Sequence, residues 1–240
     1  MILKEEEQQV TDYLIFHRLP LDILLEVKDH MISQISDIQL NEKLSFDDAF
    51  LKTRKLWEDE FKTTTYYLLY SGEIPMILKK IVKAKYNKII RKSLLLGIVA
   101  SLFSLSLVFL SKDQTMYNDL FRMYNLLFIL TPFLLWVFNK KIWKHVRRDF
   151  KYEGKLFFTI YQQNLALFIS CIGLMFQFVT KEDKYLFRFF RTDDLVSAFS
   201  LALTFILPYC MYSMIIFMII NFLEHKKTLN GLKGFLDISE

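Results

Sequence analysis

The amino-acid sequence predicts an all-α fold: a small cytoplasmic three-helix domain, then an interfacial amphipathic helix and a four-helix transmembrane bundle. Three observations predict it. The 240 residues are 53% hydrophobic and 16% aromatic, with only 6 Gly and 4 Pro, too apolar for an ordinary soluble domain and too poor in turn residues for a sheet protein. Four uncharged runs, 93–111, 123–139, 156–180 and 195–223, approach or exceed the roughly 20 helical residues that cross a hydrocarbon core. Charge is split as well: residues 1–70 hold 8 Lys and Arg against 14 Asp and Glu, and the rest of the chain holds 23 against 12.

Residues 1–70 read as the acidic cytoplasmic domain. Its first helix covers residues 4–17, with Glu5, Glu6 and Glu7 favourable at the positive end of the helix dipole. Pro20 suits a helix start, and Leu24, Val27, Met31, Ile35 and Ile38 repeat at the helical period. Asn41 reads as its stop. Ser45, with Asp48 three residues on, opens a third helix in a near capping box. Phe46, Phe50, Thr53, Trp57, Phe61 and Thr64 form its apolar stripe. Three such stripes bury one another in a small bundle.

Gly72 and Pro75 punctuate the chain before a basic juxtamembrane segment, 71–92. Its apolar residues Ile77, Leu78, Ile81, Val82, Ile89 and Ile90 share one side and lysines fill the other, the pattern of an interfacial helix on anionic lipid. Lys79, Lys80, Lys83 and Lys88, with Lys140, Lys141, Arg147 and Arg148, are the expected lipid contacts. Direct nucleic-acid binding is not expected, because the adjoining acidic domain opposes phosphate approach.

Residues 93–223 read as the transmembrane domain, with spans at about 93–111, 119–139, 156–180 and 195–223. Backbone groups in lipid must pair internally, so spans are helices. In the first, Gly97/Ser101 and Ala100/Ser104 are small residues four apart that let helices approach. Pro132 and Pro208 predict kinks. The segments flanking the spans on one side carry 17 Lys and Arg against 6 on the other, which places both termini, including the tail 224–240, in the cytoplasm. Cys171 and Cys210 lie in apolar runs, which argues against a disulfide framework.

Asp22, Glu26 and His30 stand four residues apart on one helix face, flanked by Asp29. With Asp59 they are the expected contacts to a protein partner. His17, Glu26 and His30 are candidate metal ligands, since a carboxylate and an imidazole one turn apart can bind a metal, but no second pair completes the set and no metal or cofactor is expected. The chain has no phosphate-binding glycine loop, HExxH, GxSxG or paired CxxC, so no catalytic residues and no enzyme activity are expected.

Tyr13-Leu14, Leu19-Pro20, Glu26, Asp29-His30, the run from Leu44 through Ser45, Phe46, Asp47, Asp48 and Ala49 to Phe50, and Trp57 together resemble the HAAS-type (DUF1700-like) helical domain of bacterial membrane proteins. The resemblance covers about residues 10–62 and departs at Phe46 and Trp57. The whole chain is similar to small four-span proteins of the Bacteroidetes type. The resemblance implies a signalling or regulatory role with a PadR-like transcription regulator as partner. The expectation is therefore an inner-membrane, multi-pass protein whose cytoplasmic domain binds a protein and whose spans meet lipid or form a homo-oligomer. The alternative is a small permease or the membrane subunit of a transport system, with Pro132, Pro208 and the polar cluster Gln162, Gln163 and Asn164 along its path.

Overall fold

The computed structural model describes residues 3–66, 72–148, 152, 154–165, 184–192 and 197–236. It is all-α apart from one short hairpin. The chain divides into two compact units built from discontinuous segments: unit 1 from Met1–Tyr86, Lys144–Gln163 and His225–Glu240, and unit 2 from Asn87–Trp143 and Asn164–Glu224. Unit 1 is wider than the 1–70 segment that charge alone delimits.

In unit 1, α1 spans Lys4–Phe16, α2 Leu21–Glu42 and α3 Phe46–Phe61. The Glu6 carboxylate accepts from the Leu3 N–H at 2.6 Å, satisfying a donor that the first turn of α1 leaves open. Arg18, at φ +54°, turns the chain into α2. Ser45 caps α3 by accepting from the Asp48 N–H, as the sequence predicts. Between α2 and α3, Lys43 takes φ +54°, so α2 ends one residue beyond Asn41. Of the expected stripes, Leu24, Val27, Met31 and Ile35 of α2 and Phe46, Phe50, Thr53 and Phe61 of α3 are buried, together with Val10 and Leu14 of α1, whereas Ile38 and Trp57 are half-buried. Lys28 reaches from α2 to Glu7 of α1 at 2.8 Å. Thr64, expected on the α3 stripe, instead belongs to β1 (Thr63–Thr65), which pairs antiparallel with β2 (Glu73–Pro75).

The sequence separates an interfacial helix at 71–92 from a span at 93–111; the structure joins them in one helix, α4, of 35 residues from Met76 to Leu110. No proline interrupts this stretch, and lysine is a good helix former, so backbone hydrogen bonding passes through the change of surroundings. Of the apolar face expected on lipid, Leu78 and Val82 are instead buried in unit 1, 2% and 0% exposed, as is Tyr86 one turn on, while Ile77 and Ile81 are half-buried.

Unit 2 holds the remainder of α4, then α5 (Gln114–Phe138), α6 (Lys184–Arg191) and the first part of α7 (Ala198–Leu236). Asp113 caps α5 by accepting from the Met116 N–H at 2.8 Å. The helices of Met76–Leu110, Gln114–Phe138 and Ala198–Leu232 are long and apolar enough to cross a membrane. α7 runs on past residue 223 as helix, so the tail begins as its continuation. The uncharged run 156–180 is not one α-helix: residues 156–161 turn and Gln162–Leu165 form a 3-10 segment. Residues 166–180 of that expected span lie outside the described residues.

Ser93, Gly97, Ala100, Ser104 and Leu107 form the buried stripe of α4 in unit 2. This is the packing face that the small residues predict, with Ser101 at its edge. Tyr124 donates to the Ala100 carbonyl at 2.9 Å. Tyr212 donates to Asn125 Oδ1 at 3.0 Å and lies 3.3 Å from Ser104 Oγ. Polar groups in an apolar surround need such partners. A Cβ added at Gly97 would lie 2.0 Å from Ser213 Oγ and 3.1 Å from Ser213 Cα, so α4 and α7 approach here as only glycine allows.

The Gly97→Ala variant is therefore expected to lose about 1–3 kcal/mol through overpacking. The double variant Gly97→Ala/Ser213→Gly is expected to be more stable than Gly97→Ala alone. Thermal unfolding in a non-ionic detergent checks both; additive losses would contradict the contact.

Candidate functional site

Two places in unit 1 bring chemistry together. The first is a cleft between the end of α1 and the outer face of α3. α1 stops at Phe16, with the His17 N–H bonded to the Leu14 carbonyl at 3.1 Å. The left-handed Arg18 then sends the chain away. This turn lays the His17 ring flat on Phe61, with centroids 4.2 Å apart. One turn earlier, Tyr13 meets Phe50 and Phe61 edge-on. The Arg54 guanidinium lies 4.7 Å from the Tyr13 ring centre and 5.8 Å from that of Phe50, in cation–π range. The cleft holds about 360 Å³ and is lined also by Leu51, Lys55, Glu58 and Lys62.

Its electrostatics are simple. Burial, then the charge of Arg54, holds the His17 imidazole below its ordinary value, so His17 is a neutral ring at pH 7. Its Nε2 is buried and has no hydrogen-bond partner. Burial pushes the Tyr13 phenol up. Lys62 is tied to Asp59 at 2.6 Å, whereas Arg54 and Lys55 have no carboxylate partner among the described residues.

The second place is the seat of residues 156–162 on the start of α2. α2 begins at Leu21 without a side-chain cap. Its first N–H groups are taken by a distant loop: Leu21 donates to the Phe157 carbonyl at 2.7 Å and Asp22 to the Phe158 carbonyl at 3.3 Å. In return the Asp22 carboxylate accepts from the Ile160 N–H at 3.4 Å. Tyr86 donates to the Ile160 carbonyl at 3.3 Å. Gln162 staples the loop with both ends of its amide, accepting from Phe158 N–H at 2.7 Å and donating to the Arg147 carbonyl at 2.6 Å. Thr159 Oγ1 bonds His225 Nδ1 at 2.8 Å, and both residues are fully buried. Asp22 Oδ1 and His225 Nε2 are sealed from solvent without a partner. Burial raises the Asp22 carboxyl from 3.8 to about 6, against the opposing charge of Lys85.

The structure separates the sequence-predicted residues. Glu26, Asp29, His30 and Asp59 are exposed. Asp22, expected beside them, turns instead into the loop seat, because the loop covers the first turn of α2. His17 lies in the α1–α3 cleft, whereas Glu26 and His30 are exposed on α2. Among the described residues no three His, Cys, Asp or Glu side chains gather closely enough to hold a metal ion. Of the expected lipid contacts, Lys79 donates to Thr64 Oγ1 at 3.1 Å and Lys80 pairs with Glu60. Lys83, Lys88, Lys140, Lys141, Arg147 and Arg148 are exposed, with Arg148 over the Phe157 ring at 5.1 Å.

Sequence reading missed the cleft residues Tyr13, Arg54, Lys55 and Phe61. Their signal is the i, i+4 pairs Tyr13/His17 and Phe50/Arg54, which put rings and a cation on facing helix surfaces. Comparison with protein-family models, curated proteins and solved structures yields no match. Among the described residues the protein is all-α apart from one short hairpin, with three helices long and apolar enough to cross a membrane.

Two outcomes follow from the loop seat. A carboxyl raised by burial favours the fold in its protonated form, so its contribution is complete below pH 3.8 and is lost as pH rises through about 6. The wild type is expected to lose thermal stability across that window relative to Asp22→Asn, with the difference flat above it. Thr159→Val leaves the buried His225 ring without its partner and is expected to destabilise by about 1–3 kcal/mol, read as a fall in unfolding midpoint; an unchanged midpoint would contradict the bond.

Proposed function

We propose that this chain is a multi-pass protein of a bacterial inner membrane, with both termini in the cytoplasm, whose helical domain binds a cytoplasmic protein in a signalling or regulatory role. It is not an enzyme on this reading. One observation carries the proposal. The segments that the positive-inside rule assigns to the cytoplasm are the ones that fold with α1–α3: the start of α4, residues 144–163 and the chain from His225 belong to unit 1. A shared compact unit requires a shared side of the membrane. Residues 163 and 225 then lie on one side, so the chain between them crosses an even number of times. α7 supplies one crossing, and the uncharged run 166–180 is the candidate for the other.

On this side the fold leaves Glu26, Asp29 and His30 in solvent along α2 and Asp59 on α3. An acidic, exposed face on a rigid helix suits recognition by a basic protein surface. A PadR-like regulator is the partner class that the resemblance of residues 10–62 implies. The transport reading has less support, since both ends of the Gln162 amide are engaged in holding the loop.

The test is photocrosslinking in cells. A photoreactive residue at Asp29 or His30 of the full chain is expected to give a discrete protein adduct that charge reversal of Glu26 and Asp59 abolishes. A reporter that matures only in the cytoplasm, fused after residue 240, is expected to be active. An inactive reporter, or no protein adduct from either position, would overturn the reading.

A further inference from the structure

The cleft between α1 and α3 is a second, differently charged surface on the same domain, touching the acidic face only through the Lys62–Asp59 pair. We infer that it is a docking site for an acidic peptide segment of a protein partner that packs an aromatic side chain beside His17 and Arg54; the inference rests on the reading of this domain as an interaction module.

Charge complementarity comes first. Residues 1–70 carry a net negative charge, yet the cleft gathers Arg54, Lys55 and Lys62 against Glu58 alone. Lys62 is already paired with Asp59. Arg54 and Lys55 form no ion pair among the described residues, so they offer an incoming carboxylate two cations against the one carboxylate, Glu58, in the lining. The guanidinium of Arg54 is held over Tyr13 at 4.7 Å, which lowers the ordering cost of bidentate recognition. An acidic domain would repel an acidic ligand elsewhere, so this spot also confers orientation.

The apolar part selects the rest of the ligand. His17 lies face to face on the buried Phe61, so the two rings enter the cleft lining as one stack, with Tyr13 edge-on to both. Arg and Tyr are the residue types that dominate binding energy in interfaces. Leu51 in the lining is 52% exposed, and Phe16 beside His17 is 80% exposed. This apolar rim extends beyond the cleft, as a protein-binding surface does. The volume of about 360 Å³ is at the lower end for ligand pockets, enough for one aromatic side chain with its neighbouring backbone. A lipid headgroup would satisfy the cations but has no ring to pack beside His17.

The test uses the full chain in a non-ionic detergent and labelled short peptides in which glutamate alternates with phenylalanine, read by fluorescence anisotropy. Replacing either the phenylalanines by alanine or the glutamates by lysine is expected to weaken binding about tenfold. The variants Lys55→Glu and Arg54→Glu/Lys55→Glu are expected to weaken it by a similar factor or more, with Lys55→Glu, at an exposed position, keeping the wild-type unfolding midpoint. Arg54→Lys is expected to be intermediate. Equal binding of the control peptides, or binding indifferent to both variants, overturns the inference. So does the finding that these variants abolish only binding to phosphatidylglycerol vesicles, or only self-association of the chain. If the crosslinked adduct at Asp29 persists while peptide binding fails, the interaction reading stands and the cleft assignment falls.

Discussion

The start of α2 depends on a partner far away in the chain. Pro20 supplies no side-chain cap, and the N–H groups of Leu21 and Asp22 donate to the carbonyls of Phe157 and Phe158. Unpaired donors at a buried helix end are costly, so this exchange joins the first helices to a segment more than a hundred residues on. Tyr86, Gln162 and the Thr159–His225 pair then fix the loop from α4, from its own chain and from the continuation of α7. Unit 1 is consequently a composite of three stretches of sequence, and on the proposed reading its unity is what ties those stretches to one side of a membrane.

Unit 2 solves a different problem. Apolar side chains gain little by leaving lipid for one another, so close contact and satisfied polar groups must hold the helices. The Gly97–Ser213 approach provides the first. Tyr124 on the Ala100 carbonyl and Tyr212 on Asn125 provide the second. Near the other end of α4, Leu107 and Val108 pack with Tyr117, Phe121, Leu186 and Phe187, and Arg191 donates to the Ser111 carbonyl. The outward residues of α4 and α5, among them Val99, Leu102, Phe103, Leu127 and Phe133, remain exposed. That is the surface a helix presents to hydrocarbon rather than to water.

Local signals were legible where local chemistry decides. Ser45 with Asp48 and the periodic stripes of α2 and α3 define those helices, and the small residues of α4 define its packing face. The continuity of α4 was not legible, because a change from lysine-rich to apolar sequence marks a change of solvent and not a break in the backbone. The loop at 156–162 was hidden by its lack of charge: Thr159 and Gln162 are polar without being ionised, and their partners Arg147 and His225 are distant in sequence. Asp22 shares a face with Glu26 and His30 by spacing alone, but only the first turn of α2 is covered. The α1–α3 cleft needs the left-handed turn at Arg18 and the approach of two helices, neither of which a single helix pattern contains.

The central claim is that residues 156–162 dock on the start of α2 and so share its compartment. A disulfide trap measures this directly. With Cys171 and Cys210 replaced by alanine, the pair Asp22→Cys/Ile160→Cys is placed where a carboxylate oxygen and a backbone nitrogen now lie 3.4 Å apart. Mild oxidation of native membranes is predicted to close this pair fully, while Asp29→Cys/Ile160→Cys stays open. Failure of the first pair to close, or equal closure of both, would contradict the account.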